Sequence, residues 1–170
     1  NRHIPRFLET RLPFEDFSRL KTRASDHGLL TMSTPFDEWS VAKIVEMQFD
    51  ILKIASCSSK DWPLIDEASK AGLPMVCSTG GLSLSEIDEL VSFLDHRGAD
   101  FALMHCVSIY PTPSEMCELN QIAVLNERYK GCVIGWSTHE DPSDLDPVMI
   151  AVAKGSKMFE RHVGIETDRY

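Results

Sequence analysis

The chain has 170 residues, 43% hydrophobic and 25% charged, with a formal net charge of -9. That length suits one domain with a sizeable core, and the acidic balance excludes broad nucleic-acid binding, which relies on Lys and Arg against phosphate. No apolar stretch reaches the roughly 18–20 residues of a membrane helix, so no membrane partner is expected.

The cysteines Cys57, Cys77, Cys106, Cys117 and Cys132 are odd in number and show no C-x-x-C spacing, which points to a reduced, cytoplasmic setting. The chain opens on Asn1 with no initiator Met and no signal-like apolar segment, and is expected to be a piece of a longer protein.

Leu12–Leu20 opens a helix with Pro13 near its first turn and Gly28 as its left-handed terminator. A strand over Leu29–Ser33 is broken by Pro35. Phe36–Phe49 reads as a helix with Trp39, Ile44, Val45 and Phe49 inward. The strand Ile51–Ala55 follows, then a helix over Trp62–Lys70 stopped by Gly72, and the strand Met75–Cys77. Ile87, Leu90, Val91 and Leu94 mark the apolar face of an amphipathic helix that begins at Leu84 and closes at Gly98. Next come the strand Phe101–Cys106, a helix over Leu119–Arg128, the strand Cys132–Trp136, a helix over Pro147–Lys154 and a last strand from Lys157.

Continuous apolar strands alternating with helices imply a parallel sheet covered by helices. A flavodoxin-like or Rossmann sheet shows the same alternation, but no G-x-G-x-x-G follows a strand, and five strands rather than two end on chemically useful residues. The expectation is an α/β fold of TIM (β/α)8 type, present as a partial barrel of about six strand–helix units across residues 1–170, because a complete barrel needs roughly 250 residues. The chemistry belongs at the carboxyl ends of the strands.

Ser137-Thr138-His139 and Glu160-Arg161-His162 end neighbouring strands, so two imidazoles converge into a half-built metal site with room for water and substrate oxygens. Both could equally be hydrogen-bonded structural histidines. His105, between Met104 and Cys106, reads as a structural residue below the site. Lys53 lies inside an apolar strand, where a charge is costly unless paired or discharged. It could be a Schiff-base lysine, a permanent cation gripping phosphate or carboxylate, or one half of a salt bridge to a strand-end acid such as Glu160. Ser56, Ser78-Thr79-Gly80-Gly81, Ser108 and Ser137 add hydroxyls and loop amides suited to phosphate oxygens.

Together, Ser33-Thr34-Pro35-Phe36, Leu52-Lys53-Ile54-Ala55-Ser56, Ser78-Thr79-Gly80, His105-Cys106-Val107-Ser108-Ile109-Tyr110-Pro111-Thr112-Pro113, Gly135-Trp136-Ser137-Thr138-His139 and Glu160-Arg161-His162 resemble the sialic acid (N-acetylneuraminate) synthase family, with its legionaminic and pseudaminic acid relatives. The resemblance implies a TIM barrel that condenses phosphoenolpyruvate with an open-chain N-acetylmannosamine-type sugar and releases phosphate. It also implies a divalent cation, Mn2+ or Mg2+, acting as a Lewis acid on the sugar aldehyde. Carried over by residue, His139 and His162 are the metal ligands. Lys53, Thr34, Ser56, Ser78, Ser108 and Ser137 form the phosphoenolpyruvate cradle, and Tyr110 is a sugar contact. The family further implies a homodimer in the intact protein, two earlier barrel strands bearing a glutamate and a second phosphate-binding lysine, and a C-terminal antifreeze-like domain absent from this chain.

The family pattern Ser-Asp-His-Thr is replaced here by Ser137-Thr138-His139-Glu140, which would set a new negative charge beside the metal position. Cys57 stands where Gly is common. Two other readings remain: a barrel aldolase using Lys53, and a non-catalytic relative that binds a sugar or a partner. Weak or no synthase activity is expected of the 170-residue chain alone.

Overall fold

Parallel strands need a crossover between neighbours, so the alternation of apolar runs with amphipathic segments sets the connectivity. The computed structural model describes residues 4–164; residues 1–3 and 165–170 of the expected domain lie outside the described residues. Helices α1 (Ile4–Glu9) and α2 (Phe14–Asp26) precede strand β1 (Met32–Ser33). Then α3 (Glu38–Glu46), β2 (Ile51–Ile54), α4 (Trp62–Lys70), β3 (Met75–Ser78), α5 (Leu84–His96), β4 (Phe101–Cys106), α6 (Asn120–Arg128), β5 (Val133–Ser137), α7 (Asp146–Ala153) and β6 (Met158–Glu160) alternate. The strands form a six-stranded sheet in chain order, each parallel to the next.

Capping fixes where the helices begin. The Asp37 carboxylate accepts from the Ser40 amide and Asp61 from the Leu64 amide, while Ser83 and Glu86 form a reciprocal capping box on α5. Gly28 and Gly98 follow α2 and α5 with φ of +74° and +65°, the left-handed backbone that ends helices.

Two expectations are corrected. The first strand is Met32–Ser33 alone, because the Leu29 amide is used to close α2 on Ala24 O and the Thr31 amide donates to the Asp50 carboxylate. In α3 the buried face is Val41 and Ile44, whereas Trp39 and Val45 are exposed. Trp39 turns toward α2 instead, edge-on to Phe14 with ring centroids 5.4 Å apart.

The two-residue period of the strands sorts the chain into layers. Leu52, Ile54, Cys77, Leu103, Ile134 and Trp136 join the helix-facing core with Ile44, Leu64, Ile65, Ile87, Leu90, Leu94, Ile122 and Leu125. The alternate positions, Lys53, Ser78, Cys106, Ser137 and Glu160, take the opposite face. In a flat sheet β2 and β6 would lie four strand spacings, about 19 Å, apart. Lys53 Nζ on β2 is 2.5 Å from Glu160 Oε2 on β6, so the sheet curls into a half-barrel with that face inside. At its open ends Leu29, Leu30 and Met32 near β1, and Met149, Val152 and Phe159 in α7 and β6, remain exposed. No helix among the described residues is long and apolar enough to cross a membrane.

Candidate active site

The concave face opens at the carboxyl ends of the strands into a cleft of about 490 Å³. Thr34, Lys53, Ser56, Ser78, Ser108, Tyr110, Ser137, His139 and His162 all line it, so every site residue expected from sequence reaches one cavity. His105 does not line this cleft. It pairs in register with Trp136, on the helix-facing side, and its Nε2 lies 2.8 Å from Cys117 O. Burial lowers its pKa, against the raising effect of that hydrogen bond, so it is a neutral packing histidine whose Nε2–H donates.

Lys53 is held inside the barrel with 6% of its side chain exposed, and its charge is met by Glu160, which is 35% exposed. Burial pushes the Glu160 carboxyl upward. Hydrogen bonds from Lys53 and the Ser137 hydroxyl, with the charges of Lys53 and His162, outweigh burial and hold it below the usual range. Of the three N–H donors on a lysine, one is given to Glu160, and two can turn to an anion in the cleft.

Beside this pair the β2, β3 and β4 ends converge on Gly80. Its amide donates to Ser56 Oγ at 3.1 Å, which leaves the Ser56 hydroxyl proton free to donate outward. A Cβ at Gly80 would lie 2.7 Å from Ser56 Oγ, 2.8 Å from Ser108 Oγ and 3.2 Å from Cys106 O. A larger residue there would therefore push both serine hydroxyls out of their present positions. The cradle combines one cation with short, pre-positioned hydroxyls and loop amides, a donor set suited to a carboxylate or phosphate.

The other half of the cleft is aromatic. The His139 and His162 ring centroids are 5.4 Å apart. Tyr110 lies over His139 at 3.9 Å, and its ring centroid is 6.0 Å from that of His162. His139 Nδ1 lies 2.9 Å from Val107 O. A carbonyl only accepts, so Nδ1 carries the proton and Nε2 keeps a free lone pair in the neutral ring. The two rings are close enough for a single ion to be shared between them, with imidazole nitrogen as the donor on each side. Among the described residues no cluster of three or more His, Cys, Asp or Glu forms a metal-binding group, so any shared ion here would have open positions.

Glu140 does not face the imidazoles. Its side chain is 0% exposed, its Oε1 accepts from Arg161 Nη2 at 2.8 Å, and it is not part of the cleft lining. Thr138 is buried too, its amide donating to Glu160 O. The negative charge expected beside the metal position is thus turned inward and paired.

Glu160, which the sequence offers as a salt-bridge partner for Lys53, also lines the cleft, and Gly80, named there among the loop donors, lies beside its serines; Arg161 lines the cleft too and was not expected as a site residue. For Glu160 a signal exists in its shared strand face with Ser137. Arg161 carries none, because its place depends on a contact between two strand ends.

The NeuB family model matches residues 3–169 of the chain. A Chromobacterium violaceum protein described as spore coat polysaccharide biosynthesis protein E has a crystal structure 46% identical to this chain, with a TM-score of 0.95, covering 98% of this chain and 50% of its own. The N-acetylneuraminic acid (sialic acid) synthetase of Leptospira borgpetersenii is 33% identical with a TM-score of 0.86, over 92% of this chain and 54% of that one. The N-acetylneuraminate-9-phosphate synthase of Drosophila melanogaster is 30% identical over 89% of this chain and 41% of that protein. The chain spans about half the length of the relatives it matches.

Proposed function

The chain belongs to the NeuB family, and from that membership and the cleft we propose that the intact protein makes a sialic acid-like nonulosonic acid. The substrates are phosphoenolpyruvate and an N-acetylmannosamine-type sugar in its open-chain form. The observation that carries this reading is the adjacency of two half-sites in one cleft: a cation with serine hydroxyls around Lys53, and the imidazole pair of His139 and His162.

Lys53, with Thr34, Ser56, Ser78, Ser108 and Ser137, binds the carboxylate and phosphate of phosphoenolpyruvate and offsets a polyanion that would otherwise resist approach. Carbon 3 of phosphoenolpyruvate then bonds to the sugar's aldehyde carbon, whose oxygen takes up a proton. Water adds at carbon 2, and the carbon–oxygen bond to phosphate breaks to leave the keto acid and inorganic phosphate. Tyr110, exposed over His139, contacts the sugar. His139 and His162 would hold a divalent cation, Mn2+ or Mg2+, which when bound supplies Lewis-acid polarisation of the aldehyde.

An imine at Lys53 is the competing enzyme reading. It needs an uncharged amine, and the contact with Glu160 is worth most to a charged one. Phosphate release from phosphoenolpyruvate, assayed with a panel of N-acetylhexosamines and Mn2+ in the intact protein, tests the proposal. His139→Ala and His162→Ala should each abolish release. Unchanged rates would overturn the metal assignment, and borohydride trapping at Lys53 would overturn the mechanism.

A further inference from the structure

The two imidazoles are anchored unequally. His139 is held twice, by its ring nitrogen on Val107 O and by its own carbonyl, which accepts from the Thr112 amide at 2.8 Å. His162 is exposed and lies past the end of β6, where the ladder between β5 and β6 has stopped. The last backbone link between these segments is Thr138 N to Glu160 O at 2.9 Å. Two residues further along the first segment and one along the second, the side chains take over: Glu140, after His139, binds Arg161, before His162.

We infer that the Glu140–Arg161 ion pair is a positioning clamp that sets the spacing of His139 and His162, and so the affinity of that pair for a divalent cation. Three observations carry this. The pair bridges the residues immediately beside the two histidines. Glu140 is 0% exposed, and a carboxylate taken fully out of water is retained at a cost unless a cation answers it. Its Oε2 has no hydrogen-bond partner among the described residues, so Arg161 is the one contact that fixes where this buried charge sits. Arg161 is 34% exposed and lines the cleft, so its position is linked to the site from which His162 projects. Glu140 therefore acts on the position between the two histidines through the backbone and not as a ligand.

This inference rests on the reading of His139 and His162 as metal ligands, and the test separates the two. Mn2+ affinity of the intact protein, measured by EPR without substrates, is compared in wild type, His139→Ala, Arg161→Met, Arg161→Lys and Glu140→Leu. The Co2+ absorption spectrum provides a second readout. Residues that orient metal ligands typically change affinity about 10–100-fold when replaced, and Arg161→Met and Glu140→Leu are expected to weaken Mn2+ binding by about that factor and to alter the Co2+ spectrum. Arg161→Lys, which can still donate to Oε1, should bind within about threefold of wild type. Glu140→Leu leaves no unpaired buried charge, because Arg161 can turn to water; if Arg161→Met does not fold, Glu140→Leu decides. Mn2+ affinity within twofold of wild type in a folded Glu140→Leu variant overturns the clamp. If wild type itself binds no Mn2+, or His139→Ala binds it equally well, the metal reading and the clamp fall together.

Discussion

The Lys53–Glu160 pair offers the sharpest perturbation, because the two charges are unequally buried. Lys53→Met fills the same space without charge and leaves Glu160 with one side-chain hydrogen bond, from the Ser137 hydroxyl. Removing one partner of a fully buried pair costs about 3–5 kcal/mol. Glu160 is 35% exposed and can recover part of its hydration, which lowers the expected loss to about 2–3 kcal/mol. With a urea m-value of roughly 2 kcal/mol/M for a domain of this size, the unfolding midpoint should fall by about 1–1.5 M. Adding Glu160→Gln removes the orphaned charge and should bring stability back to within about 1 kcal/mol of wild type. Phosphate release should be absent from both variants, since the double variant restores the fold and not the cation. A midpoint shift below about 0.3 M for Lys53→Met, or no recovery in the double variant, would refute the reasoning that this pair is an enforced buried contact.

Gly80→Ala should leave stability within about 1 kcal/mol of wild type while raising the KM for phosphoenolpyruvate about tenfold, the loss of one hydrogen bond, because a Cβ displaces the Ser56 and Ser108 hydroxyls; steady-state kinetics with urea melts check both. His105 has a folded pKa below its ordinary 6.5, so the unfolded chain binds the extra proton. Its stabilising contribution is full above about pH 6.5 and is lost as the pH falls toward the folded value; urea midpoints followed down from neutral pH should decline less in His105→Gln than in wild type. Ser83→Ala breaks the capping box of α5 and should cost about 1 kcal/mol, seen calorimetrically as a Tm lower by about 2–4 °C.

Much of the fold was legible because strand alternation carries two messages at once. The apolar runs mark the strands, and the parity within each run marks the side. Lys53, Ser78, Ser137 and Glu160 share one face of the sheet, and Leu52, Ile54, Ile134 and Trp136 share the other. His105 falls on the Trp136 side in register, which agrees with its reading as a packing residue. The phase of α3 was less legible. Trp39, Val45 and Ile44 are all apolar, and nothing local says that Phe14 from α2 will draw Trp39 away from the core.

What could not be read is which strand ends meet. Lys53 and Glu160 are 107 positions apart, and the salt bridge stood beside the Schiff base and the free cation as an open alternative. The choice depends on curvature: a flat sheet would hold the two apart, and only the half-barrel brings β2 and β6 within reach. Glu140 fails for a different reason. It lies beyond the end of β5, where alternation no longer reports a side, so a glutamate next to His139 reads as a charge in the site when its carboxylate is in fact buried against Arg161. The same geometry answers one of the two departures behind a non-catalytic reading, since the acid at Glu140 adds no charge to the cleft wall; the other, Thr138 in place of an acid, is untouched by it. A departure from a family pattern at a strand exit therefore has to be judged by where its side chain goes, and here it goes to the residue that precedes the second histidine.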